Sequence, residues 1–341
     1  MIDRVKERID DVKVEVLRVL QSVINASIEV EENGIESDLQ ANFNIKRQLS
    51  IGDELKAKQQ NVIKALMKPM KSKNMKVKVA AIETLSVYAL LAQFNFDECF
   101  SQIWPELKIT IDDRSNFEPT ISALGVMRRI FRSKQLSDTR SGSFTSHAQE
   151  ITEFLKKAIE HEYSKVVFEG LRVTSSFLTA MRSASTGSVD AAYSSSVQQL
   201  NAIILEKLSR VNIDTEVKHC CLLTASSLIS TGFSILGAGV LDSYFNIFAD
   251  RMSNELTREA ALKGLTMIAS NSLNSKPDAP VIPISNPQMF LAPFFDLLKK
   301  QQRQLHLNTL ESLEALTRRY PGQLSNSAQA IQNEICAMIS D

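Results

Sequence analysis

The sequence NELTREAALKGLTMIA, residues 254–269, contains the pattern that decides the fold. A polar turn is followed by a basic residue, Arg258, and then by apolar residues spaced three and four positions apart. This spacing is typical of an α-helix that buries one face. Similar turns followed by similar apolar stripes recur along the chain and begin at Asp10, Asn74, Ser164, Asp214 and Leu305. The sequence is therefore repetitive.

The separation of these turns indicates the type of repeat. Most intervals are about 40 to 60 residues long, and the longest one, from Asn74 to Ser164, divides near Glu118-Pro119. Units of about 40 to 50 residues are typical of HEAT and armadillo proteins, whereas tetratricopeptide and ankyrin units are shorter. The sequence therefore predicts an all-α fold, a HEAT-repeat α-solenoid in which antiparallel helix pairs form a right-handed superhelix.

Each turn is predicted to start the second helix of a pair. The first helices are predicted at residues 54–71, 97–111, 147–162, 192–210, 237–252, 287–301 and 323–340. Longer loops are predicted at residues 30–53, 133–146, 183–196 and 271–287. Residues 1–341 then form a single array of about seven units. Because neither end shows the polar capping unit that a solenoid needs, we expect an internal segment of a longer array.

Composition and charge argue against several classes of function. Lysine and arginine together number 39, as do aspartate and glutamate, so we expect no nucleic-acid partner and no membrane partner. The first residues are charged, unlike a signal peptide, and no apolar stretch is long enough to span a bilayer. The four cysteines have no C-x-x-C spacing, which indicates a reducing compartment. We expect a monomer located in the cytoplasm and the nucleus.

One motif could hold a metal ion. Asp112-Asp113-Arg114-Ser115-Asn116 resembles the aspartate-rich motif with which helical isoprenoid synthases bind Mg²⁺-diphosphate. Its last position is an asparagine rather than a carboxylate, and stacked helix pairs offer no central cavity for such a site. A turn in which Asn116 caps a helix is the favoured interpretation. We therefore expect no catalytic residue, no cofactor and no bound metal, and a helical Mg²⁺-dependent enzyme is a remote alternative.

Three other features have structural interpretations. Gly237-Ala238-Gly239 lacks the preceding strand and the third glycine of a dinucleotide-binding motif, and it is predicted to start a helix. Cys220 and Cys221 fall where a helix should bury its apolar stripe, so they are predicted to be buried. Trp104, the only tryptophan in the chain, is predicted to pack between helices.

Basic side chains occupy the same place near the start of successive second helices. They are Lys13, Lys76, Lys165, Lys218 and Arg258, and Arg128, Arg129 and Arg132 would extend the series. The helix dipole disfavours a cation near a helix N-terminus, so an acidic group should offset it. The cations could form an internal ladder with acidic side chains of the turns, or they could line the concave face of the solenoid and bind an acidic partner. The turn acids are Asp10, Asp11, Asp214 and Glu255.

An ordered series of short segments resembles the cullin-associated and neddylation-dissociated proteins. The segments are Glu7-Arg8 leading into Val12-Lys13, Val62–Leu66, Glu216–Lys218, Asn254–Arg258 continuing to Lys263–Ala269, and Leu298–Leu305. The likeness extends over most of the chain and corresponds to the middle of a much longer HEAT array. The segments near 183–196 and 271–287 look like insertions relative to that family.

The resemblance implies a non-catalytic scaffold. Such a protein binds an unneddylated cullin and its RING subunit, blocks the modification site of the cullin and promotes exchange of substrate receptors. The decisive contacts of the family lie at the two ends of the array, so the resemblance assigns no contact residue to this chain and implies weak cullin binding by this segment alone. Another HEAT scaffold, such as a nuclear-transport receptor or a phosphatase scaffold subunit, is the alternative.

Overall fold

The structure is a computed structural model that describes residues 9–32, 51–91, 96–112, 116–132, 146–182, 187–210, 212–270 and 281–340. Throughout these residues the chain forms helices and short connections, and no β-strand. An isolated β-bridge joins Arg182 to Val189. The prediction of an all-α fold is confirmed.

The described ranges contain the following α-helices. They are α1 (Asp10–Glu32), α2 (Gln59–Met70), α3 (Met75–Leu91), α4 (Phe96–Asp112), α5 (Phe117–Arg132), α6 (Ala148–Ile159), α7 (Ser164–Ala180), α8 (Ser194–Ser209), α9 (Thr215–Leu236), α10 (Ala238–Ser253), α11 (Arg258–Ser270), α12 (Leu291–Leu298), α13 (Arg303–Arg319), α14 (Pro321–Leu324) and α15 (Ala328–Ser340). Residues 51–57 are also helical. Short 3₁₀ turns occur at Ala191–Tyr193, Pro287–Phe290 and Ser325–Ser327.

The chain divides into two compact units. Unit 1 comprises the described residues within 1–146 and 160–176, and unit 2 comprises those within 147–159 and 177–341. Helix α7 starts in unit 1 and ends in unit 2.

In unit 1 the helices form two layers. The second helices of successive pairs contact each other, α1 with α3 and α3 with α5. The first helices α2 and α4 also contact each other. Within a pair, α2 packs on α3 and α4 packs on α5. Stacking of like helices on like helices is the arrangement of an α-solenoid, as the sequence predicts.

Unit 2 repeats this arrangement. The second helices α9, α11 and α13 contact one another in that order. In the other layer α6 contacts α8, α10 contacts α12, and α12 contacts α15. The pairs are α8 with α9, α10 with α11, and α12 with α13. The positions predicted for the second helices are therefore confirmed in both units.

Helix α3 shows why a middle helix of the second layer is apolar on nearly all sides. It lies between α1 and α5 and also contacts α2, so it is covered from three directions. Nearly all of its side chains from Val77 to Ala89 are buried. Tyr88 is fully buried, and its hydroxyl donates a hydrogen bond to the carbonyl of Leu55 at 2.7 Å. A helix enclosed in this way needs no polar face.

Helix α9 is the corresponding helix of unit 2. It is long and apolar enough to cross a bilayer by length and composition alone. However, 72% of its most apolar window is buried inside the structure. Its side chains pack against α8, α10 and α11. Burial among neighbouring helices accounts for its composition, as it does for α3.

Several predicted boundaries need correction. The predicted helix at 54–71 is interrupted at Lys58, and the one at 323–340 is divided into α14, a 3₁₀ turn and α15. The helix predicted at 287–301 is shorter because the segment starts as a 3₁₀ turn at Pro287 and α12 ends at Leu298.

The predicted loops are also too wide at their edges. Helix α1 continues to Glu32, and residues 51–57 are helical, so the loop predicted at 30–53 is shorter. The loop predicted at 183–196 ends earlier because Asp190 caps a 3₁₀ turn that leads directly into α8. Residues 33–50, 133–145, 183–186 and 271–280 lie outside the described residues. The single array and the internal segment stay predictions.

Candidate partner-binding surface

The turns that start the second helices share a side-chain cap. In each of four turns a side-chain oxygen accepts a hydrogen bond from the backbone N–H two residues later, at 2.8–3.0 Å. The capping residues are Asn74, Asn116, Asp214 and Asn254. Such a cap satisfies one of the N–H groups that a helix leaves free at its N-terminus. The repeated polar turn of the sequence is therefore a repeated helix cap.

The first of the predicted cations lies in an internal ladder. Lys13 forms an ion pair with Asp10 at 2.7 Å within the first turn of α1. The other carboxylate oxygen of Asp10 accepts a hydrogen bond from the Asn74 amide at 3.1 Å, which joins the start of α1 to the start of α3. The hydrogen bonds from Lys13 and then Asn74 lower the pKa of Asp10. Asp10 therefore offsets the cation and links two repeats.

Arg258 forms the equivalent ladder in unit 2. Its side chain is 8% exposed and pairs with Glu255 at 3.1 Å. The same guanidinium nitrogen donates to the side-chain oxygen of Gln302 at 3.4 Å, which joins α11 to the turn before α13. A ring nitrogen of His219 contacts the carbonyl of Leu256 and links α9 to the turn before α11. Arg258, like Lys13, makes the contacts of an internal ladder, and partner binding by either cation stays a prediction.

The remaining helix-start cations are more exposed. Lys76 and Lys165 are exposed, and neither side chain forms an ion pair with another described residue. Lys218 is half-buried in the first turn of α9 and has partners within the chain. Partner binding by Lys76, Lys165 and Lys218 stays a prediction.

Arg128 belongs to a different group, near the end of α5 rather than the start of a helix. Its Nε lies 3.0 Å from Oε1 of Glu169 on α7. Arg172, one turn further along α7, places Nη1 3.2 Å from the other oxygen of the same carboxylate. Glu169 is only 7% exposed. One buried carboxylate therefore holds two guanidinium groups and joins two repeats within unit 1.

Two more arginines lie beside this ion pair. Arg129 and Arg132 are in the last turn of α5, where the helix dipole favours cations. Burial lowers the pKa of Arg128, and the positive charges of Arg172, Arg132 and Arg129 lower it further, while Glu169 opposes this effect. The guanidinium groups of Arg129, Arg132 and Arg172 are therefore close enough to repel that of Arg128.

The sequence pattern pointed to Arg128, Arg129 and Arg132, but not to Arg172 or Glu169. A signal was present: Glu169 falls three residues after the buried Val166 and four before the buried Val173, on the buried face of α7. A carboxylate at such a position is almost always paired. The partner could not be identified from the sequence because it lies in the preceding repeat.

The aspartate-rich motif supplies a helix end and a cap. Asp112 is the last residue of α4, and Asn116 caps α5 by accepting a hydrogen bond from the Glu118 N–H at 3.0 Å. Residues 113–115 of the motif lie outside the described residues. Across the part of the chain that the structure describes, no three histidine, cysteine or acidic side chains come together in an arrangement that could hold a metal ion. The capping role predicted for Asn116 is confirmed.

The glycine segment and the two adjacent cysteines have the structural roles predicted for them. Gly237 has φ +73° and precedes α10, so this glycine segment starts a helix. Cys220 and Cys221 are buried, and burial raises the pKa of the Cys221 thiol to about 12. Trp104 is buried and stacks on Phe100 of the same helix, with ring centroids 4.9 Å apart, and its predicted packing between helices stays a prediction.

An apolar cleft lies between α13, α14 and α15 in unit 2. Its volume is about 480 Å³. Most of the lining is aliphatic, including Leu324, Ile331 and Ile335. Among the described residues that line the cleft, only Cys336 has an ionisable side chain, its thiol. The cleft offers no acid and base pair for catalysis.

Comparisons with known proteins give a consistent family likeness. Residues 98–225 match a family model described as "CAND1-like, TPR repeats". Cullin-associated NEDD8-dissociated protein 1 of Arabidopsis thaliana is 24% identical over 342 residues, which cover 100% of this chain and 26% of that protein. The proteins of the same name from Dictyostelium discoideum and Drosophila melanogaster are each 24% identical, over 84% and 82% of this chain and 22% of each relative. The chain thus spans about a quarter of the length of these curated relatives.

Two solved structures show a similar fold at low sequence identity. The structure titled "Kap95:Nup1 complex" superimposes with a TM-score of 0.69 at 11% identity, covering 100% of this chain and 42% of that one. A crystal structure of importin beta gives a TM-score of 0.55 at 11% identity, covering 94% of this chain and 40% of that one. At this level of identity the likeness shows the fold alone, an α-solenoid of HEAT or armadillo type.

Proposed function

We propose that this chain is part of a scaffold that binds a cullin, because its predicted resemblance to the cullin-associated NEDD8-dissociated proteins is confirmed. The observation that carries the proposal is the extent of the likeness: the alignment with the Arabidopsis thaliana relative covers all of this chain. The names of three relatives refer to association with a cullin. The chain is a repeat scaffold of that type, and cullin binding is the function that best fits it.

The proposed role is to bind the unneddylated cullin with its RING subunit and to promote exchange of substrate receptors. The role is non-catalytic: binding over a large surface blocks or displaces other subunits, with the binding energy concentrated at a few contacts. The two layers of stacked helices within each unit support such a role, because stacked helix pairs offer an extended surface to a partner. The proposed location is the cytoplasm and the nucleus, and the proposed oligomeric state is a monomer.

Affinity purification of the full-length protein that carries this sequence, from its own cells, tests the proposal. We expect a cullin and its RING subunit among the recovered proteins. Recovery of nuclear-transport cargo without any cullin would instead support a transport receptor, the alternative suggested by the fold. A parallel purification after in-cell crosslinking controls for complexes that dissociate during washing.

A further inference from the structure

We propose that Arg128, Arg129, Arg132 and Arg172, the arginine cluster, form a docking site for an acidic segment of a partner protein. The cluster surrounds Glu169 in unit 1. This inference goes beyond the proposed function, because it assigns a site and the chemistry of its ligand whether or not the partner is a cullin.

The arginine cluster has more positive than negative charge. The cluster carries four positive charges, and Glu169 is the one carboxylate paired with it among the described residues. The other acidic residue of α5, Glu118, lies ten residues before Arg128, about 15 Å along the helix axis. Among the described residues, Glu83 on the neighbouring α3 forms no ion pair with any arginine of the cluster. An excess of positive charge is therefore held in one place.

The cluster also has many guanidinium N–H donors that are not directed to Glu169. A guanidinium group has five N–H donors, and Arg128 and Arg172 each direct one nitrogen to Glu169. Arg128 Nε approaches Oε1 at 3.0 Å without the alignment of a hydrogen bond. Glu169 therefore fixes the position of the two groups without using most of their donors. Arg132 is exposed, Arg129 is half-buried, and the side chain of Arg172 is 42% exposed, so a ligand can reach them.

The side chain of Arg172 is held in place before any ligand binds. The guanidinium carbon of Arg172 lies over the ring of Phe168, 5.4 Å from the centroid. Contact with the ring face and the ion pair to Glu169 together restrict this side chain before any ligand binds. A ligand that binds an already ordered arginine loses less entropy than one that must order it.

The size of the cluster favours a short acidic peptide segment over a nucleic acid. Arg128 and Arg132 are four residues apart, about 6 Å along α5, which fits two or three carboxylates bound in the bidentate mode of arginine. Nucleic-acid binding relies on many phosphate contacts along an extended basic surface. This chain has equal numbers of basic and acidic residues, 39 of each, and the cluster is compact.

The test is a titration of this chain against two labelled peptides. One peptide contains six glutamates, and the other contains six glutamines at the same positions. Fluorescence anisotropy should show binding of the glutamate peptide, weakened when salt is raised from about 50 to about 200 mM. The variant carrying Arg129→Ala and Arg132→Ala should bind it about tenfold more weakly or worse. These two side chains are chosen because neither contacts Glu169.

The matched control is Lys64→Ala with Lys68→Ala, which removes two exposed cations from the other helix layer of unit 1. It should leave the affinity within about twofold. Thermal unfolding by circular dichroism confirms that both variants are folded. Equal binding of the two peptides, or equal losses in the cluster variant and the control, would overturn the proposal. So would tighter, cluster-dependent binding of a single-stranded oligonucleotide, because the site would then recognise nucleic acid.

Discussion

Replacing Gly264 with alanine should destabilise unit 2, although alanine is normally the better helix former. Gly264 lies within α11, which packs against both α9 and α10. A Cβ atom at this position would lie 2.4 Å from Oγ of Ser226 and 2.6 Å from Cε1 of Phe248. Both neighbours are fully buried. The glycine is therefore required by close approach of three helices.

The magnitude follows from two opposing effects. Alanine in place of glycine gains about 1 kcal/mol of helix propensity. Overpacking a close-packed core costs about 1 to 3 kcal/mol, and two contacts this short place Gly264→Ala at the upper end. The expected net loss is about 2 kcal/mol, which lowers the midpoint of thermal unfolding by about 4 to 8 °C for a unit of this size.

Circular dichroism melts of the wild-type chain and the variant measure this loss. Gly125→Ala is the matched control, because Gly125 lies within α5 and a Cβ there has nothing within 4 Å. The control should gain about 0.5 to 1 kcal/mol in the free energy of unfolding. A Gly264→Ala variant as stable as the control would refute the close packing described for α9, α10 and α11.

Three further predictions follow from particular contacts. Tyr88→Phe leaves the carbonyl of Leu55 without its hydrogen bond, so the free energy of unfolding should fall by about 1 to 2 kcal/mol, measured by urea titration; no change would argue against the bond. The pKa of Asp10 is lowered in the folded chain, so the ionised Asp10 stabilises the fold at pH values above the usual carboxyl pKa. This stabilisation is lost as the pH falls through the lowered pKa of the folded chain. Wild type and Asp10→Asn should accordingly differ in thermal midpoint at neutral pH and converge in acid, and a constant difference would contradict the pairing. Because burial raises the pKa of Cys221 to about 12, iodoacetamide at pH 8 should label the exposed Cys336 and leave Cys221 unlabelled in the folded chain; mass spectrometry of peptides distinguishes the two.

The helices could be predicted from the sequence because each one carries its own signal. The apolar stripe that starts at Val79 and the cap at Asn74 together define α3, and both are local features. The same holds for α11, whose turn and stripe lie within residues 254–269. Local hydrogen bonding and periodic burial decide where these elements lie, so no knowledge of distant residues is needed.

The candidate site could be predicted only in part, because it depends on contacts between repeats. The internal-ladder interpretation includes Asp10 and Glu255, and each of these acids lies three residues before the cation with which it pairs, Lys13 or Arg258. By contrast, Glu169 is 41 positions from Arg128 in the sequence. Such a separation sets no distance in space until the stacking of the helices is known. The sequence therefore reveals the ladder within each turn but not the arginine cluster.

We propose that the protein carrying this sequence is a cullin-binding scaffold. The most direct measurement is the affinity of the purified full-length protein for a purified cullin–RING complex, in neddylated and unneddylated forms, by isothermal titration calorimetry. Binding to the unneddylated complex, with much weaker binding to the neddylated one, is the predicted result. Absence of binding to both forms, with the full-length protein folded by circular dichroism, would contradict the claim.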